Sequence, residues 1–213
     1  MIKILAIIGD RFHDPEILRA GLLPLESAEC KFVFVVNPEQ VPWASLSHYA
    51  AIVLAKGGYD FSTEMSHRWL GDNDRHLAGF VNGGGGLLIL HSGLAGYADN
   101  EMMRELCKGS FTHHSDGIIP QSVRRVENGL FPAWPEFAVA DEQYCIHFHS
   151  RDTTEFLATH SEAQAQASAG WAHTCGRGRV ACLTPGHTAE VFAAPTYRQI
   201  LQEVLRWVAA VSK

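Results

Sequence analysis

The chain has 213 residues, 46% of them hydrophobic and 19% charged, a globular composition that excludes a disordered chain. Net charge is −6 and no basic run exceeds Arg124-Arg125, so the basic stripe that nucleic-acid binding needs is missing. No apolar run approaches the roughly 20 residues of a membrane span and the N-terminal apolar stretch is too short for a signal peptide, which makes one cytoplasmic domain over 1–213 the expectation.

In chain order, residues 3–8 form an apolar strand that runs into a Gly9-Asp10 turn. Asp14 and Pro15 then open a helix to about residue 25, the aspartate as N-cap and the proline at the first helical position. Residues 30–36 and 51–55 read as the second and third strands, the third closed by Gly57-Gly58. A helix over 72–82 places Leu77, Phe80 and Val81 on one face, with Gly83 as its C-cap. Residues 87–90 form a fourth strand that ends on His91-Ser92-Gly93. Strands apolar throughout, not alternating, belong to a parallel sheet covered on both faces.

From about residue 118 the pattern changes to short β-like pieces: 123–126, 143–148, 155–159, and 170–183 broken at Gly176-Arg177-Gly178 as a hairpin. Pro195 opens a closing helix with Ile200, Leu201, Val204, Leu205, Trp207 and Val208 on its apolar face. That stripe packs either on the sheet or on a second subunit, so a homo-oligomer is one expectation.

The five cysteines are odd in number, widely spread and never spaced Cys-x-x-Cys, which argues against a disulfide framework and a zinc knuckle. The twelve histidines are the unusual feature. Ligands in open parallel sheets bind beyond the carboxyl ends of the strands, and four such ends carry polar or glycine residues: Gly9-Asp10 with His13, Gly57-Gly58, His91-Ser92, and Gly186-His187. The strand that enters His91-Ser92-Gly93 has the outline of a nucleophile elbow, but Gly-x-Ser-x-Gly is absent and no cysteine is near. The run Gly83-Gly84-Gly85-Gly86 lacks the Lys-Ser/Thr of a phosphate loop and precedes its strand, so no nucleotide cofactor is expected.

Several segments together resemble the ThuA-like (trehalose-utilisation) family, which shares the fold of class I glutamine amidotransferases. They are residues 9–14 with His13-Asp14, 49–54, and Phe80-Val81 followed by the glycine run and Leu-x-x-Leu-His91-Ser92. Gly109-x-Phe111-x-x-His114, Asp141-Glu142-x-Tyr144, Trp171, Gly176-x-Gly178-Arg179-Val180 and Leu183-x-x-Gly186-His187-Thr188 complete the set. The resemblance implies a three-layer α/β, flavodoxin-like fold with a mostly parallel central sheet and a small antiparallel β extension. It places His91 where amidotransferases carry their cysteine, and His187 with Glu190 near their His/Glu pair. An imidazole does not replace a thiolate as acyl acceptor, so glutamine hydrolysis is not expected.

The expected cleft gathers His13, His91, His114, His187, Asp10, Asp141 and Glu142. Imidazoles with a carboxylate suit a divalent metal such as zinc, and the ligand set read from the chain is His91, His114 and His187, with Glu142 as a fourth ligand or a base. Metal-free proton transfer by His and carboxylate explains the same residues. Catalytic roles are assigned to His187, Glu142 and His91; substrate contacts to Asp10, His13, Gly58, Ser92, Asp141, Tyr144 and Trp171, the tryptophan as a sugar-stacking ring. His147 and His149 are expected on a solvent face, and His48, His67, His76, His160 and His173 at the surface. The implied function is a sugar-directed hydrolase, isomerase or lyase of carbohydrate metabolism acting on a disaccharide, glycoside or keto-sugar. The alternatives are a non-catalytic sugar-binding or regulatory module, and, more remotely, an esterase using Ser92.

Overall fold

The computed structural model describes residues 1–59 and 68–210. Its strands are β1 (Ile2–Ile8), β2 (Cys30–Val35), β3 (Ala51–Ala55), β4 (Gly86–Leu90), β5 (Gly109–His114) and β6 (Ile119–Arg125). There follow β7 (Phe137–Asp141), β8 (Tyr144–Phe148), β9 (Thr154–Ser161), β10 (Ala165–Cys175) and β11 (Gly178–Leu183). The helices are α1 (Pro15–Leu22), α2 (Asp74–Asn82), α3 (Glu101–Cys107), α4 (Ala189–Ala193) and α5 (Pro195–Ala209).

Nine strands form one sheet in the order β2-β1-β3-β4-β11-β10-β9-β6-β7, and β5 pairs with β8 in a separate antiparallel ribbon. The first five strands of that order are parallel, the arrangement expected of a flavodoxin-like sheet. From β10 outward every pairing is antiparallel. The apolar runs of β3 and β4 are buried at every position. Successive side chains leave on opposite faces, so Ile4, Ala6, Val53 and Leu88 enter one core while Leu5, Ile7, Ile52 and Ile89 enter the other.

Helix α5 resolves the question of its stripe: Tyr197, Ile200, Leu201, Val204, Leu205 and Val208 are buried against the sheet. Each such side chain contributes about 1.5–3 kcal/mol relative to exposure. Helix α1 starts as read, with Asp14 accepting from the Glu16 amide and Pro15 in the first turn. It ends at Leu22 and tightens to a 3-10 turn over Leu23–Leu25, because Pro24 has no amide to continue the ladder. The helix expected from residue 72 likewise begins as a 3-10 turn, Gly71–Asn73. The hairpin turns at Gly176, whose φ of +56° suits glycine. Strands β5 and β7 and helices α3 and α4 went unread in the sequence. Among the described helices, none is long and apolar enough to cross a membrane.

Candidate functional site

The ends of β1, β3, β4 and β11 open on one side of the sheet, and the β5–β8 ribbon supplies an opposing wall. Between them lies a cleft of about 520 Å³, within the range of about 300–1,000 Å³ usual for small-molecule sites. Its lining includes Asp10, His13, Gly57, Gly58, Phe111, His114, Glu142, Tyr144 and His187.

At the inner end of this cleft, His13, His91, Glu142 and His187 bring one ligand atom each to within 4.8 Å of one another. His91 follows β4 directly, at φ +45°; the elbow is therefore real, and an imidazole occupies its strained position. His91 Nδ1 lies 2.7 Å from the Thr184 carbonyl. A carbonyl only accepts, so Nδ1 carries the proton and Nε2 presents a lone pair to the cluster. His13 is held in the same way, its Nδ1 2.7 Å from Asp10 Oδ1. Asp10 also accepts from the amides of Phe12 and Gly57. Burial raises the Asp10 pKa, but His13 and the two amides outweigh it and hold the carboxyl at about 2. Burial in turn lowers the pKa of His13, against its bond to Asp10.

Glu142 sits in the turn between β7 and β8. Its Oε2 is 3.5 Å from His91 Nε2 and 3.3 Å from His187 Nδ1, and the two ring nitrogens are 3.3 Å apart. Burial works to raise the Glu142 pKa, but the His187 and His91 rings beside it carry it well below the usual carboxylate range. The His187 pKa is raised, chiefly by its bond to Glu142 and against burial. The contact thus favours the charged form of each partner.

Three of the four donor atoms are spaced as on a metal, and His13 joins them within the 4.8 Å that spans the group. Four ligands at about 2.0–2.1 Å around a tetrahedral ion stand about 3.3 Å from one another, and the three measured separations match that edge. The outer nitrogens of His91 and His13 are fixed by a carbonyl and a carboxylate, the usual outer partners of metal-bound imidazoles.

Four expected placements need correction. His114 is not in the ligand cluster: its Nδ1 lies 2.6 Å from the Ser115 carbonyl and its Nε2 is 3.8 Å from Glu142 Oε1, so it stands on the cleft wall while His13 takes its place. Trp171 has no exposed surface, and its indole N–H donates to the Cys107 carbonyl, because β10 runs through the sheet interior; it cannot stack on a ligand. Ser92 is buried, with its hydroxyl unpartnered and outside the cleft lining, which removes both the substrate contact and the esterase. Asp141 is also fully buried. Its carboxylate accepts from the amides of Gly186, His187 and Thr188, so it holds the His187 loop and does not face the cleft.

Glu190, read as a partner of His187, accepts instead from the Ala140 amide at 3.1 Å. His147 on β8 and His149 just beyond its end are exposed, as expected. His48, His76 and His160 are at the surface; His173 is buried, and His67 lies outside the described residues. The lining also contains Phe12, Tyr59, Ala95, Gly96 and Ala98, which no sequence motif marks. Tyr59 directly follows Gly57-Gly58 and Phe12 follows Gly9-Asp10 after one intervening residue, the only local signal available.

A family model described as trehalose utilisation, ThuA, matches residues 18–208. The chain belongs to the ThuA family. A ThuA-like protein of Parabacteroides merdae aligns over 100% of this chain and 92% of its own at 16% identity, with a TM-score of 0.78. A cytoplasmic protein of Salmonella typhimurium LT2 aligns over 97% and 99% at 15% identity, TM-score 0.70. A glutamine amidotransferase of Thermotoga maritima aligns over 98% of both chains at 15% identity, TM-score 0.61. These likenesses establish a fold that ThuA-like proteins share with glutamine amidotransferases. No curated protein matches.

Proposed function

We propose that this ThuA-family protein is a sugar-directed enzyme whose centre is a divalent metal, zinc or a similar ion, held by His13, His91, His187 and Glu142. The observation that carries the reading is the triangle of His91 Nε2, His187 Nδ1 and Glu142 Oε2, with sides of 3.3 to 3.5 Å. The family description supplies the carbohydrate context. Such an ion would polarise a substrate oxygen or lower the pKa of bound water.

The chain's own residues then divide the remaining work. Asp10 and the Thr184 carbonyl orient His13 and His91. His114 carries its proton on Nδ1, toward the Ser115 carbonyl, and turns Nε2 to the cleft as a proton acceptor. Tyr144, packed on His91 with ring centroids 4.2 Å apart, closes the inner wall. Hydrolysis, isomerisation or elimination at a sugar carbon are the reaction classes these groups serve. Amidotransfer is not, because the elbow carries an imidazole and none of the five cysteines lines the cleft. A cytoplasmic setting follows the Salmonella relative.

Elemental analysis of the purified protein tests the centre. We expect about one equivalent of divalent metal, removed by a chelator and absent from His91→Ala. Glu142→Gln, which keeps the side chain's size, should also lose it while retaining the native melting transition. Metal-dependent turnover would then be sought among glycosides and keto-sugars. A protein that takes up no zinc, manganese, iron or nickel at neutral pH overturns the metal. The His187–Glu142 pair would then remain for acid–base chemistry, or, without any turnover, the cleft would be that of a binding module.

A further inference from the structure

A second cavity, of about 530 Å³, lies at the opposite end of the sheet from the histidine cluster. Tyr49, Ala50 and the glycines 83–85 of its lining immediately precede β3 and β4, whereas His91 follows β4. Those strands are five residues long, so about 16 Å of sheet separates the two sites. The volume is within the range of about 300–1,000 Å³ usual for small-molecule pockets, and the reaction proposed above makes no use of it.

The wall of this cavity is aromatic and held in place. Trp43 is half-buried and stacks on Trp69 with ring centroids 6.3 Å apart. Trp69 lies outside the cavity, anchored by its indole N–H 2.7 Å from the Gly57 carbonyl. His76 stacks with Trp43 at 6.3 Å, the planes inclined by 29°. The floor beside these rings is bare. Gly79 sits inside α2, where glycine carries a propensity cost against alanine, yet a Cβ there would meet nothing within 4 Å. Packing does not require that glycine; what it provides is open space beside the aromatic wall.

The polar groups select the ligand further. Each carbonyl in the last turn of α2 already has a donor. The amides of Gly83, Gly85 and Gly84 donate to Gly79, Phe80 and Val81, and the Arg177 amide donates to Asn82. Arg177 Nη2 donates to the Gly83 carbonyl at 3.0 Å, which fixes the guanidinium at the rim. Its other N–H groups have no acceptor among the described residues. No carboxylate stands in the described lining, although the chain carries a net charge of −6. A guanidinium with free N–H groups recognises carboxylate or phosphate, and the flat faces of Trp43 and His76 recognise a ring.

We propose that this cavity is a second ligand site, for a planar aromatic ring that carries a carboxylate or phosphate. The ring lies against Trp43 beside Gly79, and Arg177 takes the anion.

The test is calorimetric titration of the whole protein with indoleacetate and adenosine monophosphate, each beside its neutral parent, indole or adenosine. An anion that fits should bind at least about tenfold more tightly than its parent, the effect of one hydrogen bond to a charged group. Binding of one anion alone supports the site and names its acid. Gly79→Leu fills the floor without removing a partner, and should abolish binding while the melting temperature holds. Arg177→Gln should bring anion and parent level. His91→Ala should bind these compounds as the wild type does, whatever becomes of its metal, which keeps this site separate from the histidine cluster. The proposal is overturned by neither anion binding at millimolar concentration, by anion and parent binding equally, by unchanged binding in Gly79→Leu, or by loss of binding in His91→Ala.

Discussion

Asp141 and Glu142 are chain neighbours with opposite tasks. Glu142 meets His91 and His187 in the cluster, whereas Asp141 receives three consecutive backbone amides from the loop that carries His187. Thr188 adds a bond from its hydroxyl to the Ala140 carbonyl. The strand end that delivers one donor thus also fixes the loop that delivers another. Asn at 141 would turn an amide N–H toward backbone donors. We expect Asp141→Asn to weaken zinc affinity about 10–100-fold, the usual effect of losing an outer partner, and to lower stability by about 1–3 kcal/mol. Thr188→Ala removes a single hydrogen bond and should cost about 1 kcal/mol with little change in affinity. Competition titration with a chromogenic chelator, beside thermal melts, separates the two effects. Equal zinc affinity in wild type and Asp141→Asn would show that the loop holds His187 unaided.

The elbow that presents His91 depends on its contact with β3. A Cβ on Gly93 would lie 2.1 Å from the Leu54 carbonyl oxygen, so Gly93→Ala must push the turn away from the sheet. The expected cost is about 1–3 kcal/mol, together with weakened zinc binding, because His91 moves with the turn. Gly79 gives the contrast: it lies on the exposed side of α2 with nothing within 4 Å of a Cβ, and Gly79→Ala should stabilise by about 0.5–1 kcal/mol. Melting curves and zinc titrations of both variants check the pair.

Elements such as β3 and β4 were legible because burial on both faces writes an uninterrupted apolar run. The four strand ends could be located for the same reason. Strand β5 was not legible: Thr112, His113 and His114 are exposed on a two-stranded ribbon, which gives no continuous apolar signal. Helix α3, seven residues long, is too short for its period to stand out. The sequence placed His91, His187 and Glu142 in one cleft, but it could not distinguish His13 from His114 as their companion. That choice depends on the loop after β1 folding back through Asp10, a contact that spacing does not encode.

At the scale of the whole molecule, the parallel half contributes His13, His91 and His187, and Glu142 comes from the turn joining β7 to the ribbon. The site therefore exists only when both halves are folded together, and acid that loosens either half should weaken the proposed metal binding. One buried histidine remote from the ligand cluster makes such loosening measurable. His173, on β10, is 8% exposed and neither ring nitrogen makes a hydrogen bond. Burial, with the Lys108 cation beside it, lowers its pKa to about 4 against weaker pulls from Asp152 and the Leu106 backbone. The fold therefore favours the neutral ring, while the unfolded chain takes up a proton near pH 6.5. Stability from this residue is fully present above pH 6.5 and drains away as pH falls toward 4, because the unfolded state then binds more protons. The whole effect amounts to about 3 kcal/mol. His173→Leu gives up no hydrogen bond of normal geometry, so it should melt at or above the wild-type temperature at pH 7 and lose less stability between pH 7 and 5. Comparing the two proteins cancels His13 and His187, which titrate in both. Parallel loss of stability in the two would move the acid sensitivity from β10 to the ligand cluster itself.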